Sequence, residues 1–166
     1  MTSQAPSTGQ QDLSVGDTAP PFVLDSTAGK IALSDLRGQY GVLYFYPKDD
    51  TPGCTRESCA FRDALSQFKA LHVTVLGVSR DSVESHQKFS EKYDLSFPLL
   101  SDPLGEVSRA YGVYRLKTLY GRASMGIVRS TFIIDPVGKI AKIFSPVHVD
   151  GHVEAVRAAL GGFQKQ

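Results

Sequence analysis

Residues 42–46 and 73–78 form two apolar runs, Val-Leu-Tyr-Phe-Tyr and Val-Thr-Val-Leu-Gly-Val, and the stretch between them carries helix signals. Strands without regular polar alternation are covered on both faces, and two of them joined through a helix lie parallel in one sheet. Nothing else in the chain restricts its fold as much, because it requires an α/β architecture with layers on both sides of a sheet. A second pair of runs, 130–134 and 139–144, flanks Asp135-Pro136-Val137-Gly138. Proline at the second and glycine at the fourth position mark a type I turn, so this pair is an antiparallel hairpin and the sheet is mixed.

The remaining signals fill in short strands near 22–24 and 31–33, a helix over 52–70, a helix over 82–93, a short helix around 103–111 and a last helix over 151–160. Asp102-Pro103 repeats, for the short helix, the cap-then-proline device of Thr51-Pro52. Residues 118–125 are expected to be a loop. Residues 1–12 contain Ser, Thr, Gln, Gly and Pro with no apolar cluster, so they are expected to be a flexible tail ahead of a single domain over 13–166.

Eighteen Lys and Arg stand against 17 Asp and Glu, a net charge of +1. That balance excludes bulk electrostatic binding to nucleic acid or an anionic membrane. No apolar run approaches the roughly 20 residues that span a bilayer, and the amino-terminal residues lack a secretory layout. A cytoplasmic protein is expected. It is also expected to be a monomer, since no long unprotected apolar segment calls for a partner.

The only two cysteines lie in Pro47-Lys-Asp-Asp-Thr51-Pro-Gly-Cys54-Thr-Arg-Glu-Ser-Cys59. Thr51 reads as an N-cap and Pro52 as a first helical residue, which puts Cys54 in the opening turn of a helix. Unpaired amides and the positive end of the helix dipole favour the thiolate there, the reactive form of the side chain. Residues five apart on a regular helix have Cα atoms roughly 8–9 Å apart, while a disulfide needs less than about 7 Å. A Cys54–Cys59 bridge therefore requires the helix to unwind. Four intervening residues do not match a C-x-x-C exchanger, and two cysteines with no histidine nearby in sequence make a poor zinc site. An exported protein with one structural bridge is the competing reading. His148 and His152 are expected at the surface, and the aromatic residues Tyr44, Phe45, Tyr46, Phe61 and Phe68 are expected in the core.

The cysteine segment, beginning at Phe45-Tyr-Pro47, resembles the active-site segment of the peroxiredoxins, in particular the PrxQ or bacterioferritin comigratory protein group. Gly77-Val-Ser-Arg-Asp-Ser-Val-Glu-Ser-His86, Phe97-Pro-Leu-Leu-Ser-Asp-Pro103 and Arg129-Ser-Thr-Phe-Ile-Ile-Asp-Pro136-Val-Gly-Lys139 resemble further segments of that group in the same order. The resemblance implies a thioredoxin-like fold and a thiol peroxidase without a cofactor. Its substrates would be hydrogen peroxide and organic hydroperoxides, and thioredoxin or a similar dithiol reductase would recycle it.

Carried over by position, Cys54 would be the peroxidatic cysteine and Cys59 the resolving one. Thr51 would supply a hydroxyl beside Cys54, Pro47 would shield it and Arg129 would face it. From the residues alone, Thr51 is equally an N-cap, Pro47 a strand terminator and Arg129 a surface charge at a strand start. Asp49 and Asp50 read as loop-shaping residues. Two other functions share the pattern: a redox sensor whose oxidised helix binds another protein, and a general disulfide oxidoreductase, which the spacing disfavours.

Overall fold

The computed structural model describes residues 12–164, so the expected tail falls outside it except for Asp12. In chain order the elements are β1 (Val23–Ser26), β2 (Gly29–Ala32), a 3-10 turn (Leu33–Leu36), β3 (Gly41–Phe45), α1 (Pro52–Asp63) and α2 (Leu65–Ala70). Then follow β4 (Thr74–Ser79), α3 (Val83–Tyr93), β5 (Leu99–Ser101), α4 (Glu106–Ala110), β6 (Tyr114–Leu119), β7 (Arg122–Ile127), β8 (Ser130–Ile134), β9 (Ile140–Phe144) and α5 (His152–Gln164). Among the described residues no helix is long and apolar enough to cross a membrane.

Seven strands form one sheet in the order β2-β1-β5-β4-β3-β8-β9. The two apolar runs pair in parallel as expected, Val42 opposite Val75 and Tyr44 opposite Gly77. β8 lies antiparallel on the other side of β3, with β9 antiparallel to β8. Strand β3 is thus central, and its five residues are all buried. Alternation along it separates two layers: Val42, Tyr44 and Tyr46 join Cys54, Phe61, Phe68, Val156 and Leu160, whereas Leu43 and Phe45 join Tyr111, Phe132 and Ile140. Period-two geometry therefore places the aromatic pair Tyr44 and Tyr46 on the same face as Cys54. Gly77 makes room for this arrangement, since a Cβ there would come within 2.8 Å of the Tyr44 ring and 2.9 Å of Leu99.

Phe61 is fully buried and stacks on Tyr44 with ring centroids 4.6 Å apart. It packs α1 against the sheet. Phe61→Ala is expected to lower the unfolding free energy by about 3–5 kcal/mol through lost burial and the cavity left behind. Urea denaturation followed by circular dichroism measures it.

Four elements differ from the sequence expectations. The helix expected over 52–70 is broken at Ala64 (φ −95°, ψ 2°), which caps α1 and leads into α2. No glycine or proline marks the break, and it lets Phe61, Leu65 and Phe68 all face the core. The short helix begins at Glu106 behind a left-handed Gly105 (φ +73°), so Asp102 is not its N-cap residue. The Asp102 carboxylate nevertheless reaches across the turn to accept the amides of Val107 and Ser108 and the Ser108 hydroxyl. The three-residue strand β5 is too short for a periodic signal. The loop expected over 118–125 is instead part of the β6–β7 ribbon, closed at Tyr120 and Gly121, both with positive φ. That is the hairpin geometry of a two-residue turn, with Tyr standing where Asn or Asp is the usual signal.

Candidate active site

Cys54 is the third residue of α1, in the first turn, where amide groups lack intrahelical partners, and it is 1% exposed. Its sulfur is contacted from outside the helix by Arg129, whose Nη2 donates to Sγ at 3.4 Å. Arg129 lies between β7 and β8. Its backbone is held by the strand it enters and by the Val147 amide, which donates to its carbonyl at 2.9 Å. The carbonyl-held backbone and the planar guanidinium together aim a rigid pair of donors at the start of α1. Gly53 leaves space for it: a Cβ there would sit 3.1 Å from Nη2. The structure thus brings Arg129 and Cys54 together.

The other arm of the fork donates from Nη1 to Glu57 Oε1 at 2.7 Å. Glu57 is 0% exposed, and its Oε2 is buried without a hydrogen-bond partner. Burial pushes its carboxyl up to about 7, against the opposing effect of Arg129. Partial burial works against the Arg129 charge, but Cys54 and Glu57 outweigh it and hold the guanidinium above its ordinary range. The sequence reading did not single out Glu57. Its spacing three residues after Cys54 puts both on one helix face, yet a glutamate on a surface helix ordinarily points to water.

Thr51 occupies the N-cap position with extended backbone, but its hydroxyl makes no cap bond. It donates instead to the Lys48 carbonyl at 2.8 Å. The Thr51 hydroxyl thus closes the loop before α1 instead of making the expected cap bond. Pro47 is half-buried and directly follows Tyr46, whose amide makes a last bond to the Val78 carbonyl. Having no N–H to offer, Pro47 ends the ladder there.

A second network anchors that loop. Asp49 accepts from the Tyr46 hydroxyl at 2.6 Å and the Ser85 hydroxyl at 2.8 Å, and its Oδ2 lies 2.8 Å from His86 Nδ1. The Asp49 amide donates to Asp81, and His86 Nε2 meets the Leu100 carbonyl at 2.9 Å. Because a carbonyl only accepts, Nε2 is the donor to Leu100. Ligand atoms of Asp49, Asp81 and His86 lie within 4.8 Å of one another, but each of the three is engaged by protein groups. The loop-shaping expectation for Asp49 agrees with these contacts. Asp50, exposed at the loop end, accepts from Lys92 and Tyr93 on α3.

His148 is exposed as expected, but His152 is not. It is 6% exposed, bonded through Nε2 to the Thr131 hydroxyl at 2.8 Å and packed edge-on against Phe61 and Phe144. The left-handed Gly151 before α5 swings this first helical residue inward. Burial, and then the positive charge of Arg129, pull the imidazole down to about 4, so it stays neutral at pH 7. The aromatic core expectation holds, with Tyr44, Phe45, Tyr46, Phe61 and Phe68 all 0% exposed.

Cys59 is half-buried on the same continuous helix, and both cysteines are free thiols. Regular helix geometry keeps their Cα atoms roughly 8–9 Å apart, outside bonding range. The arrangement thus presents a buried sulfur at a helix N-terminus with a guanidinium in contact.

Residues 15–143 match the AhpC/TSA family. The chain is 46% identical over 142 residues to peroxiredoxin Bcp of Bacillus subtilis (strain 168), covering 85% of this chain and 90% of that one. Among solved structures, a cysteine-to-serine variant of PrxQ from Xylella fastidiosa superposes with a TM-score of 0.87 at 40% identity, over 93% of this chain and 99% of its own. The Xanthomonas campestris bacterioferritin comigratory protein, solved as trapped intermediate and ligand complexes bearing on its alkyl peroxide reduction, has a TM-score of 0.82 at 42% identity, over 86% and 91%. The sheet and its flanking helices share the thioredoxin-like peroxiredoxin fold of these neighbours.

Proposed function

The chain belongs to the AhpC/TSA family, and on that premise we propose that it is a peroxiredoxin in which Cys54 reduces hydrogen peroxide and organic hydroperoxides and Cys59 resolves the product. The observation that carries this reading is the 3.4 Å contact between Arg129 and the sulfur of Cys54 in the first turn of α1. The alkyl peroxide reduction of the Xanthomonas relative supports including organic hydroperoxides.

In this mechanism the Cys54 thiolate attacks the terminal oxygen of the peroxide. The O–O bond breaks, an S–O bond forms, and the departing hydroxide or alkoxide takes up a proton. Arg129 holds both the sulfur and the incoming oxygen and carries the charge as it moves onto the leaving group. The resulting Cys54 sulfenic acid waits until the first turns of α1 unwind. Cys59 then displaces hydroxide from it, forming the disulfide and water. A reductase dithiol opens the bridge by exchange, becomes oxidised itself and returns two thiols. Thioredoxin is the reductant of this reading, and a monomer in the reducing cytoplasm is its setting, consistent with two free cysteines.

The test is peroxide consumption coupled to thioredoxin, its reductase and NADPH, where no turnover rejects the proposal. Cys59→Ser separates the two sulfurs. It is expected to consume one equivalent of peroxide at the wild-type rate and accumulate sulfenic acid that dimedone traps, while steady-state turnover with thioredoxin falls by at least about tenfold. Unchanged steady-state turnover removes Cys59 from the cycle.

A further inference from the structure

Glu57 lies between the two cysteines on the segment that has to unwind, and it is the partner that shares the Arg129 fork with Cys54. We propose that Glu57 is a positioning residue that links the two halves of the cycle: protonated, it lets α1 stay closed with Arg129 on Cys54; ionised, it drives the helix open and brings Cys54 to Cys59. The proposal rests on the peroxidase reading above and adds to it a control on the resolving step.

The geometry makes the closed state a poor place for a carboxylate. The side chain is 0% exposed, Oε1 has one donor and Oε2 has none. A carboxylate accepts about four hydrogen bonds in water, so ionised Glu57 gives up most of its solvation when α1 is closed. The guanidinium that meets it is already divided, since the second arm of Arg129 serves Cys54. Among the described residues, Arg129 supplies the positive charge that acts on it. From β3 comes the buried phenol of Tyr44, bonded to Ser58 and, by burial, held well above its ordinary range. From α1 itself comes Cys54. Opening the helix at residues 54–59 hands the carboxylate back to water and removes the penalty.

The sign follows from linkage. The closed form holds the Glu57 proton up to about pH 7, whereas a solvated glutamate loses it near pH 4.3. Closed α1 is therefore most favoured at low pH, and opening becomes easier as pH rises, levelling off above about 7. Between pH 6 and pH 8 the opening equilibrium is expected to rise about tenfold. Acid conditions would then prolong the sulfenic acid, and neutral to alkaline conditions would hasten the bridge.

The test compares wild type with Glu57→Gln, which keeps an acceptor for Arg129 and cannot ionise. One equivalent of hydrogen peroxide is added between pH 6 and pH 8, samples are quenched in acid, and sulfenic acid and disulfide are separated by mass after dimedone or thiol alkylation. The ratio of wild-type to variant bridging rate is expected to rise about tenfold across that range; the Cys59 thiol contributes equally to both and cancels. A constant ratio with normal sulfenic acid formation overturns the proposal alone. Absence of sulfenic acid in the wild type overturns the peroxidase reading and the proposal with it. Should the variant fail to fold, backbone hydrogen exchange of wild-type residues 55–59, corrected for intrinsic exchange chemistry, gives the same answer. Opening that rises with pH supports the proposal, and a flat profile rejects it.

Discussion

Cys54→Ser is expected to lower kcat/KM for hydrogen peroxide by at least about 10⁴-fold, to the level of the uncatalysed background. Serine is nearly isosteric, and Cys54 is buried at the start of α1, so the fold and the Arg129–Glu57 pair should survive. What disappears is the nucleophile. An alcohol is essentially un-ionised at neutral pH, and its oxygen is a far weaker nucleophile toward peroxide oxygen than a sulfur anion. No other thiol can substitute, because Cys59 lies about two-thirds of the way along the helix, away from its N-terminal amides and from the guanidinium. Thermal melts should match wild type, which separates a chemical loss from a folding one. Peroxide consumption by the serine variant above the protein-free rate would mean that the reaction runs elsewhere in the molecule.

Arg129→Lys is expected to reduce the rate constant for oxidation of Cys54 by about 10²–10³-fold, close to the loss seen when one preorganised donor is removed from an oxyanion site. Lysine preserves the charge, so Glu57 is not left buried without a cation, which would cost several kcal/mol and confuse the result. It cannot preserve the fork. The guanidinium reaches Glu57 at 2.7 Å through one nitrogen and Sγ at 3.4 Å through another, and a single ammonium on a flexible stem can hold only one of these directions. Stopped-flow competition against a reporter peroxidase measures the step directly. A rate within threefold of wild type would reduce Arg129 to an ion-pair partner of Glu57 with no part in oxygen transfer.

The parts of the site that were legible beforehand are those with short-range signals. Thr51-Pro52 marks a helix start, and α1 begins there at Pro52. Asp135 to Gly138 marks a turn, and the Gly138 amide closes it on the Asp135 carbonyl at 3.0 Å. The apolar run before Pro47 marks a strand covered on both faces, and β3 is buried throughout. The Thr51 hydroxyl was misread because a cap residue and a loop-closing residue share the same sequence signature; which carbonyl or amide lies within reach depends on how residues 47–50 are folded back. The ribbon of β6 and β7 was missed because its turn is Tyr-Gly rather than Asn-Gly, although Leu116 faces Met125 across it in the alternation a hairpin needs.

His152 and Glu57 show a different limit. Both sit on helices whose sequence allows either an outward or an inward side chain, and both turn inward: His152 toward Thr131 and two phenylalanine rings, Glu57 toward Arg129. Local chain chemistry was enough to choose the strands, the helix start and the sulfur at it, since propensity, capping and periodicity act over a few residues. The contacts that give that sulfur its surroundings join residues 72 and 75 positions apart. Only packing brings them together, and only packing excludes the water that would otherwise screen a guanidinium and hold a carboxylate ionised.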